Sequence, residues 1–168
     1  LIEFRDDVSP KAGDYVQIPN KKGDYEHWLI LYGSDELSFR KHIIKKCNYH
    51  LRWKNRYGDI ISRWVVISDN YRLTNGDSNV HYGVMNLPWN TISVILPCDK
   101  ETINLRRDKR FLIDNPDVLD SPDAYIVTNR NVESKSFALD EGVIELGISQ
   151  HQFNPATDSR DLMIADCY

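Results

Sequence analysis

Apolar and polar residues alternate with a period of two through much of the chain. From Cys47 to Lys54 the order Cys-Asn-Tyr-His-Leu-Arg-Trp-Lys sets Cys47, Tyr49, Leu51 and Trp53 on one face. Asn48, His50, Arg52 and Lys54 occupy the other, the pattern of a half-buried antiparallel strand. A turn at Asn55-Arg56-Tyr57-Gly58-Asp59 follows. Ile60 to Ile67, with Trp64, Val65 and Val66, then completes a hairpin. Further strands are predicted at Asp14–Ile18, His27–Tyr32, Val80–Leu87, Thr91–Leu96, Tyr125–Thr128 and Val143–Ser149. Pro19-Asn20, Asn75-Gly76-Asp77, Pro88 and Pro97 separate them. Glu36 to Lys46 could follow a helical stripe through Leu37, Ile44 and Cys47, but Arg40 and Lys41 interrupt it. That segment reads as an extended strand, or as a short helix leading into one.

Short, evenly spaced strands with Gly and Pro turns predict a mainly β fold, a small antiparallel β-barrel or sandwich with long loops and extended terminal arms. Residues 1–153 form the predicted barrel domain. Four Asp and two Pro between Asp114 and Asp123 mark a solvated acidic loop. Residues 154–168 read as a C-terminal arm ending in the apolar stretch Leu162-Met163-Ile164-Ala165. Such an ending implies that a partner covers it or that a further domain follows.

Composition narrows the class. At 168 residues, 41% hydrophobic, with four Trp, nine Tyr and five Phe, the chain can bury a core and is not a disordered segment. No apolar run reaches about 18 residues, so no membrane helix is expected. The first eight residues mix acidic and apolar types, unlike a signal peptide, and the chain begins on Leu1 rather than Met, which allows for a leader or a longer N-terminus. Cys47, Cys98 and Cys167 are too scattered for a disulfide framework, which points to synthesis in a reducing compartment.

The net charge of -4 conceals segregation. Residues 1–39 carry 4 basic and 8 acidic side chains (-4), residues 40–113 carry 14 and 6 (+8), and residues 114–168 carry 3 and 11 (-8). The basic block has two foci. Arg40, Lys41, Lys45, Lys46, Arg52, Lys54 and Arg56 run without an intervening acid, and Arg106, Arg107, Lys109 and Arg110 surround Asp108. Three readings fit: phosphate contacts with an anionic polymer, complementary edges of identical subunits closing into a ring, and ordinary solvated strand faces.

Candidate chemistry is sparse. Cys47 and His50 stand three apart on a strand, so they point to opposite faces and cannot chelate one ion. No second Cys/His pair completes a zinc site, and Cys47 reads as a small core residue. No His-x-x-x-His pair, Gly-x-Ser-x-Gly elbow or phosphate-cradling glycine loop occurs. The Asp114–Asp123 run lacks the central glycine and closing Glu of a calcium loop. Asp6-Asp7 and Asp140-Glu141 read as solvated acids at chain ends and turns. No catalytic residue, cofactor or metal is therefore predicted, and an enzyme would need a site assembled from dispersed residues. Aromatics interleaved with basic residues (Tyr49, Arg52, Trp53, Lys54, Arg56, Tyr57) would suit single-stranded nucleic acid, but Tyr49 and Trp53 share the apolar face with Leu51 and read as core.

Four stretches carry a family resemblance. They are Gly13-Asp-Tyr-Val with Trp28-Leu-Ile-Leu, Arg40 to Trp53, Leu105-Arg-Arg-Asp-Lys-Arg-Phe-Leu-Ile113, and Asn154-Pro-Ala-Thr-Asp-Ser-Arg-Asp-Leu-Met-Ile-Ala-Asp166. In this order the chain resembles a neck protein of tailed bacteriophages of Gram-positive hosts, of the head–tail connector or stopper (head-closure) type. The resemblance implies a β-rich, non-enzymatic virion protein made in the host bacterial cytoplasm. It implies a homo-oligomeric ring of six or twelve copies in the virion neck, with portal or adaptor proteins above and tail proteins below. Related chains continue past the Ile-Ala-Asp segment into an immunoglobulin-like module, and Cys167 stands where they carry an aromatic. Contact with packaged DNA is a further expectation. Arg106, Arg107, Lys109 and Arg110 are the candidates for the DNA channel or an inter-subunit contact. Asp114, Asp117, Asp120 and Asp123 are the candidate acidic subunit surface, and Leu162, Met163 and Ile164 the candidate arm contact. The alternative reading is a monomeric β-barrel that binds single-stranded nucleic acid.

Overall fold

The computed structural model describes residues 2–3, 10–36, 39–68, 91–114, 122–133 and 142–167. The expected strand at Val80–Leu87, the Asp6-Asp7 and Asp140-Glu141 pairs, and Asp117 and Asp120 lie outside the described residues. Ten strands account for most of the rest: β1 (Ile2–Glu3), β2 (Tyr15–Pro19), β3 (Tyr25–Glu36), β4 (Phe39–Lys46), β5 (Tyr49–Lys54), β6 (Ile60–Ser68), β7 (Thr91–Pro97), β8 (Arg110–Ile113), β9 (Asp123–Glu133) and β10 (Val143–His151). A single 3-10 turn, Thr102–Asn104, stands between β7 and β8. No helix among the described residues is long and apolar enough to cross a membrane.

Six strands in the order β5-β6-β7-β10-β9-β8 form a nearly closed antiparallel barrel, and a smaller antiparallel sheet runs β1-β4-β3-β2. The ambiguous segment before Lys46 is therefore a strand, paired along β3 from Trp28↔Lys46 to Glu36↔Phe39. Alternation explains both layers. Leu51, Trp53, Val65, Val94, Leu96, Phe111, Ile144, Leu146 and Ile148 fill the barrel interior. Their neighbours Val66, Ile95 and Val143 point outward and pack under Leu29, Leu31 and Cys47 of the second sheet. β6, β7 and β10 are thus buried on both faces, which is why they read as apolar runs rather than clean alternations.

Two glycines fix the junction between the layers. Gly13 (φ +96°) and Gly142 (φ +107°) both occupy the left-handed region. The Gly142 N–H donates to the Ala12 carbonyl (2.7 Å), and the Gly13 N–H to the Ile30 carbonyl (2.8 Å). A Cβ on Gly13 would lie 2.3 Å from the Gly142 carbonyl oxygen, so only glycine permits this approach.

The barrel closes at β5 and β8 through side chains. Trp53 and Phe111 meet edge to face with centroids 6.3 Å apart. The Tyr49 hydroxyl accepts from the Asp114 N–H (3.1 Å), and the Lys109 ammonium donates to the Lys54 carbonyl (3.1 Å). The outer face of β8 and β9 is covered by the chain itself. Of the segment expected as an arm, 154–168, residues 154–167 fold back as consecutive turns with a Ser159↔Ile164 bridge. Its Ala165, with Phe153 and Met163, packs on Leu112 and Ala124.

Candidate anion-binding groove at the barrel seam

Lys54 and Arg56, the end of the first basic focus, meet Arg106 and Lys109, about fifty residues on in sequence, at one end of the barrel; Lys45 and Lys46 lie on β4 of the other sheet. The β5–β6 hairpin supplies the first wall. Asn55 Oδ1 accepts from the Tyr57 and Asp59 N–H groups (2.9 and 3.0 Å), and Gly58 adopts φ +89°. The tip therefore projects Arg56 and Tyr57 into solvent, with Tyr57 71% exposed. The Arg56 guanidinium lies 4.6 Å from the Tyr57 ring centroid and also donates to its hydroxyl.

The 3-10 turn supplies the second wall. Asp99 Oδ1 accepts from the Glu101 and Thr102 N–H groups (2.8 Å each), and Oδ2 accepts from Arg63 Nε (2.7 Å). Burial opposes the Asp99 charge, but the Thr102 N–H and the Arg63 guanidinium outweigh it and hold the carboxyl below the usual range. This turn presents Lys100 outward and ties back to the hairpin through Asn55 Nδ2 and Glu101 Oε2 (3.4 Å). The third wall is the 106–109 turn, made possible by Asp108 at φ +70°, a conformation that Asp tolerates better than most residues.

Between these walls lies an open recess of about 640 Å³. Trp53 and Leu105, both nearly fully buried, form its apolar floor. Lys54, Arg56, Lys100, Arg106 and Lys109 ring it, with Glu101 the one acid in the lining among the described residues. Burial holds the Lys109 ammonium below the usual lysine range, partly offset by Asp166.

The structure divides the predicted DNA-channel cluster. Arg106 and Lys109 line the recess, while Arg107 is exposed outside its lining. Arg110 does not belong to this surface: it heads β8, where alternation points it away from the barrel interior and under the C-terminal segment. There its guanidinium donates to Asp158 (2.6 and 3.0 Å), Asp166 (2.7 Å) and the Gln152 carbonyl (2.9 Å). Of the predicted acidic surface, Asp114 is exposed and Asp123 opens β9 opposite Ile113. Both sit at the end of the seam away from the groove, a distance of about 17 Å along the six residues of β5. In the predicted arm contact only Leu162 is exposed (38%), and Ile164 is fully buried within the same chain. Intramolecular packing thus covers Ile164 and Ala165 of the stretch expected to meet a partner or lead into a further domain, and leaves Leu162 exposed.

Sequence reasoning missed Lys100, whereas Tyr57 already stood among the aromatics interleaved with basic residues. The five-residue hairpin loop signals Tyr57, because closing it places residues 54–57 at a strand end, and no local signal marks Lys100. No group of three or more His, Cys, Asp or Glu side chains able to hold a metal occurs among the described residues. Compared with known proteins, the chain matches no family model, no curated protein and no solved structure.

Proposed function

We propose that the chain is a structural subunit of a tailed-phage neck, a head–tail connector or stopper. Copies form a ring of six or twelve between the portal or adaptor and the tail, and the basic groove faces the DNA passage. The observation that carries this reading is the convergence of five cations from three separate turns on one end of the barrel. A concave positive surface on a chain of net charge -4 concentrates the favourable interaction with polyanion at one place, while the rest of the molecule is repelled. Asp114 and Asp123 at the far end of the seam favour the same orientation, groove toward DNA and acidic end away. The sequence resemblance supplies the assembly, and contacts with phosphates need no base-specific chemistry.

The test is the mass of the purified protein by light scattering at low and high salt, beside virion assembly with Lys100→Glu/Arg106→Glu. Both substituted side chains are exposed. The expected results are a ring of six or more copies and virions of the variant that lose DNA. A strict monomer at high concentration together with unchanged DNA retention would overturn the proposal.

A further inference from the structure

The two layers meet through a stack of rings as well as through backbone. Trp64 stands on β6 of the barrel, and one imidazole from each layer lies against its indole. His27 of the second sheet stacks on it with centroids 4.8 Å apart and planes within 14°. His50, the cross-strand partner of Trp64 on β5, lies 4.8 Å away and is tilted by 37°. We infer that this stack is an acid-sensitive clasp between barrel and second sheet, closed while both imidazoles are neutral and opened when both take a proton. The clasp concerns the junction of the layers and does not depend on what the groove binds.

The surrounding groups favour the neutral pair. Gln17 Nε2 donates to His27 Nε2 (3.0 Å), so that nitrogen acts as an acceptor and carries no proton. Tyr15 stands edge-on to His27, with centroids 6.5 Å apart, and its hydroxyl donates to the Trp64 carbonyl (2.6 Å). Burial raises that hydroxyl well above the usual tyrosine range, so it brings no charge. One imidazolium beside an indole is favourable, but a second would meet both the first and the Arg52 guanidinium. Burial, Arg52 and His27 all hold the His50 pKa below the usual imidazole range. The neighbouring carboxylates are engaged with other cations. Glu26 lies on the opposite face of β3 by alternation and pairs with Lys46 (2.7 Å), while Asp99, beyond Tyr15, pairs with Arg63 (2.7 Å). On β4 the adjoining cation is Lys45, in register with Leu29. The sign follows from His50, which takes its proton at lower pH when folded than when unfolded. The closed form is therefore fully stable above about pH 6.5 and loses stability as the pH falls from there.

Cys47 reports the state of the clasp. Its N–H donates to the His27 carbonyl (2.8 Å), and its side chain lies between the layers in the cluster against which Trp64 packs. The experiment times labelling of each cysteine in the folded chain by 4,4′-dithiodipyridine, a thiol reagent that works in acid, at about pH 7.5 and about pH 5. Peptide mass spectrometry assigns the sites, and each rate is divided by that of the urea-unfolded protein at the same pH. Cys47 labelling should rise several-fold on acidification, up to about 30-fold for one imidazole that takes its proton only in the open form. Cys98 and Cys167, buried elsewhere in the chain, should stay protected. The rise should be lost in His50→Gln. It should shrink in Gln17→Glu, an exposed position where a carboxylate would accept from a protonated His27. Normalised Cys47 rates within about twofold at the two pH values would overturn the clasp. So would a rise shared by all three cysteines, which is global unfolding, or one unchanged in both variants.

Discussion

Replacing Asp158 by Ala should detach the C-terminal segment from the barrel. Its carboxylate has no exposed side-chain surface and accepts five hydrogen bonds. Two come from Arg110 (2.6 and 3.0 Å), two from the Asn154 and Asp166 N–H groups (2.8 and 3.0 Å), and one from the Thr157 hydroxyl (3.2 Å). Without it, Arg110 keeps only the Asp166 carboxylate and the Gln152 carbonyl, and two backbone N–H groups lose their acceptor. Removing one partner of a buried, hydrogen-bonded pair costs about 3–5 kcal/mol. For a chain of 168 residues, each kcal/mol shifts Tm by about 2–4 °C, so Asp158→Ala should melt roughly 6–20 °C lower. Asp158→Asn, which keeps the shape and one acceptor oxygen, should fall between it and the wild type. Arg110→Met/Asp158→Leu should recover part of the loss, because no charge is then left buried alone.

The same carboxylate gives the experiment a pH axis. Burial opposes its charge, but the Arg110 guanidinium and the Asn154 and Asp166 N–H groups outweigh that and depress its pKa. A carboxyl with a folded pKa below its unfolded value contributes stability that is complete above about pH 4 and is lost as pH falls through the folded value. The Tm gap between wild type and Asp158→Asn should therefore be constant near neutrality and narrow only below about pH 4. Differential scanning calorimetry across that range measures it. If Asp158→Ala melts within about 2 °C of wild type at pH 7, the carboxylate is not what holds the segment, and the reasoning fails.

Two further outcomes follow from the packing. Gly13→Ala forces a Cβ to within 2.3 Å of the Gly142 oxygen at φ +96°, so it should cost at least the roughly 1–3 kcal/mol of a strained backbone. A melting temperature equal to wild type would show that the two layers are not pinned there. Cys47 is nearly buried, and burial pushes its thiol up to about 11; at pH 8 it should react with iodoacetamide only as fast as the sheets separate. Mass spectrometry showing prompt labelling of Cys47 in folded protein would refute its place between the layers.

Local alternation made much of the fold legible, and the hidden parts are those whose determinants are distant. β5 shows one wet and one dry face, and the Asn55–Asp59 turn after it was readable because it ends that alternation. β8 escaped detection because Arg110-Phe111-Leu112-Ile113 is only four residues long and buried throughout, so no polar face marks its period. Arg110 looked like part of a surface cluster because its neighbours in sequence are basic. Its partners Asp158 and Asp166 are 48 and 56 residues away. Met163 and Ala165 looked unpartnered for a related reason, since Leu112 and Ala124 pack on them from strands they do not neighbour in sequence. The groove was half visible. Both basic foci could be counted, but which members meet, Lys54 and Arg56 with Arg106 and Lys109, depends on barrel closure, which no local pattern reports.

The four residues of β8 link all these features. Phe111 and Ile113 face the interior and Leu112 and Arg110 face outward, so a slip of one position would drive a guanidinium into the apolar barrel. Arg110 therefore sets register as well as anchoring the C-terminal segment. That register places Lys109 where it reaches the Lys54 carbonyl across the seam, and Lys54 where its ammonium reaches the Cys167 carbonyl (2.5 Å). These two lysines line the groove, and each donates to a backbone oxygen. Their positions are fixed while their charge is not neutralised by those bonds. The seam, the folded-back terminus and the cationic rim are thus one hydrogen-bonded unit, and the groove keeps its shape only while the barrel stays closed beneath it.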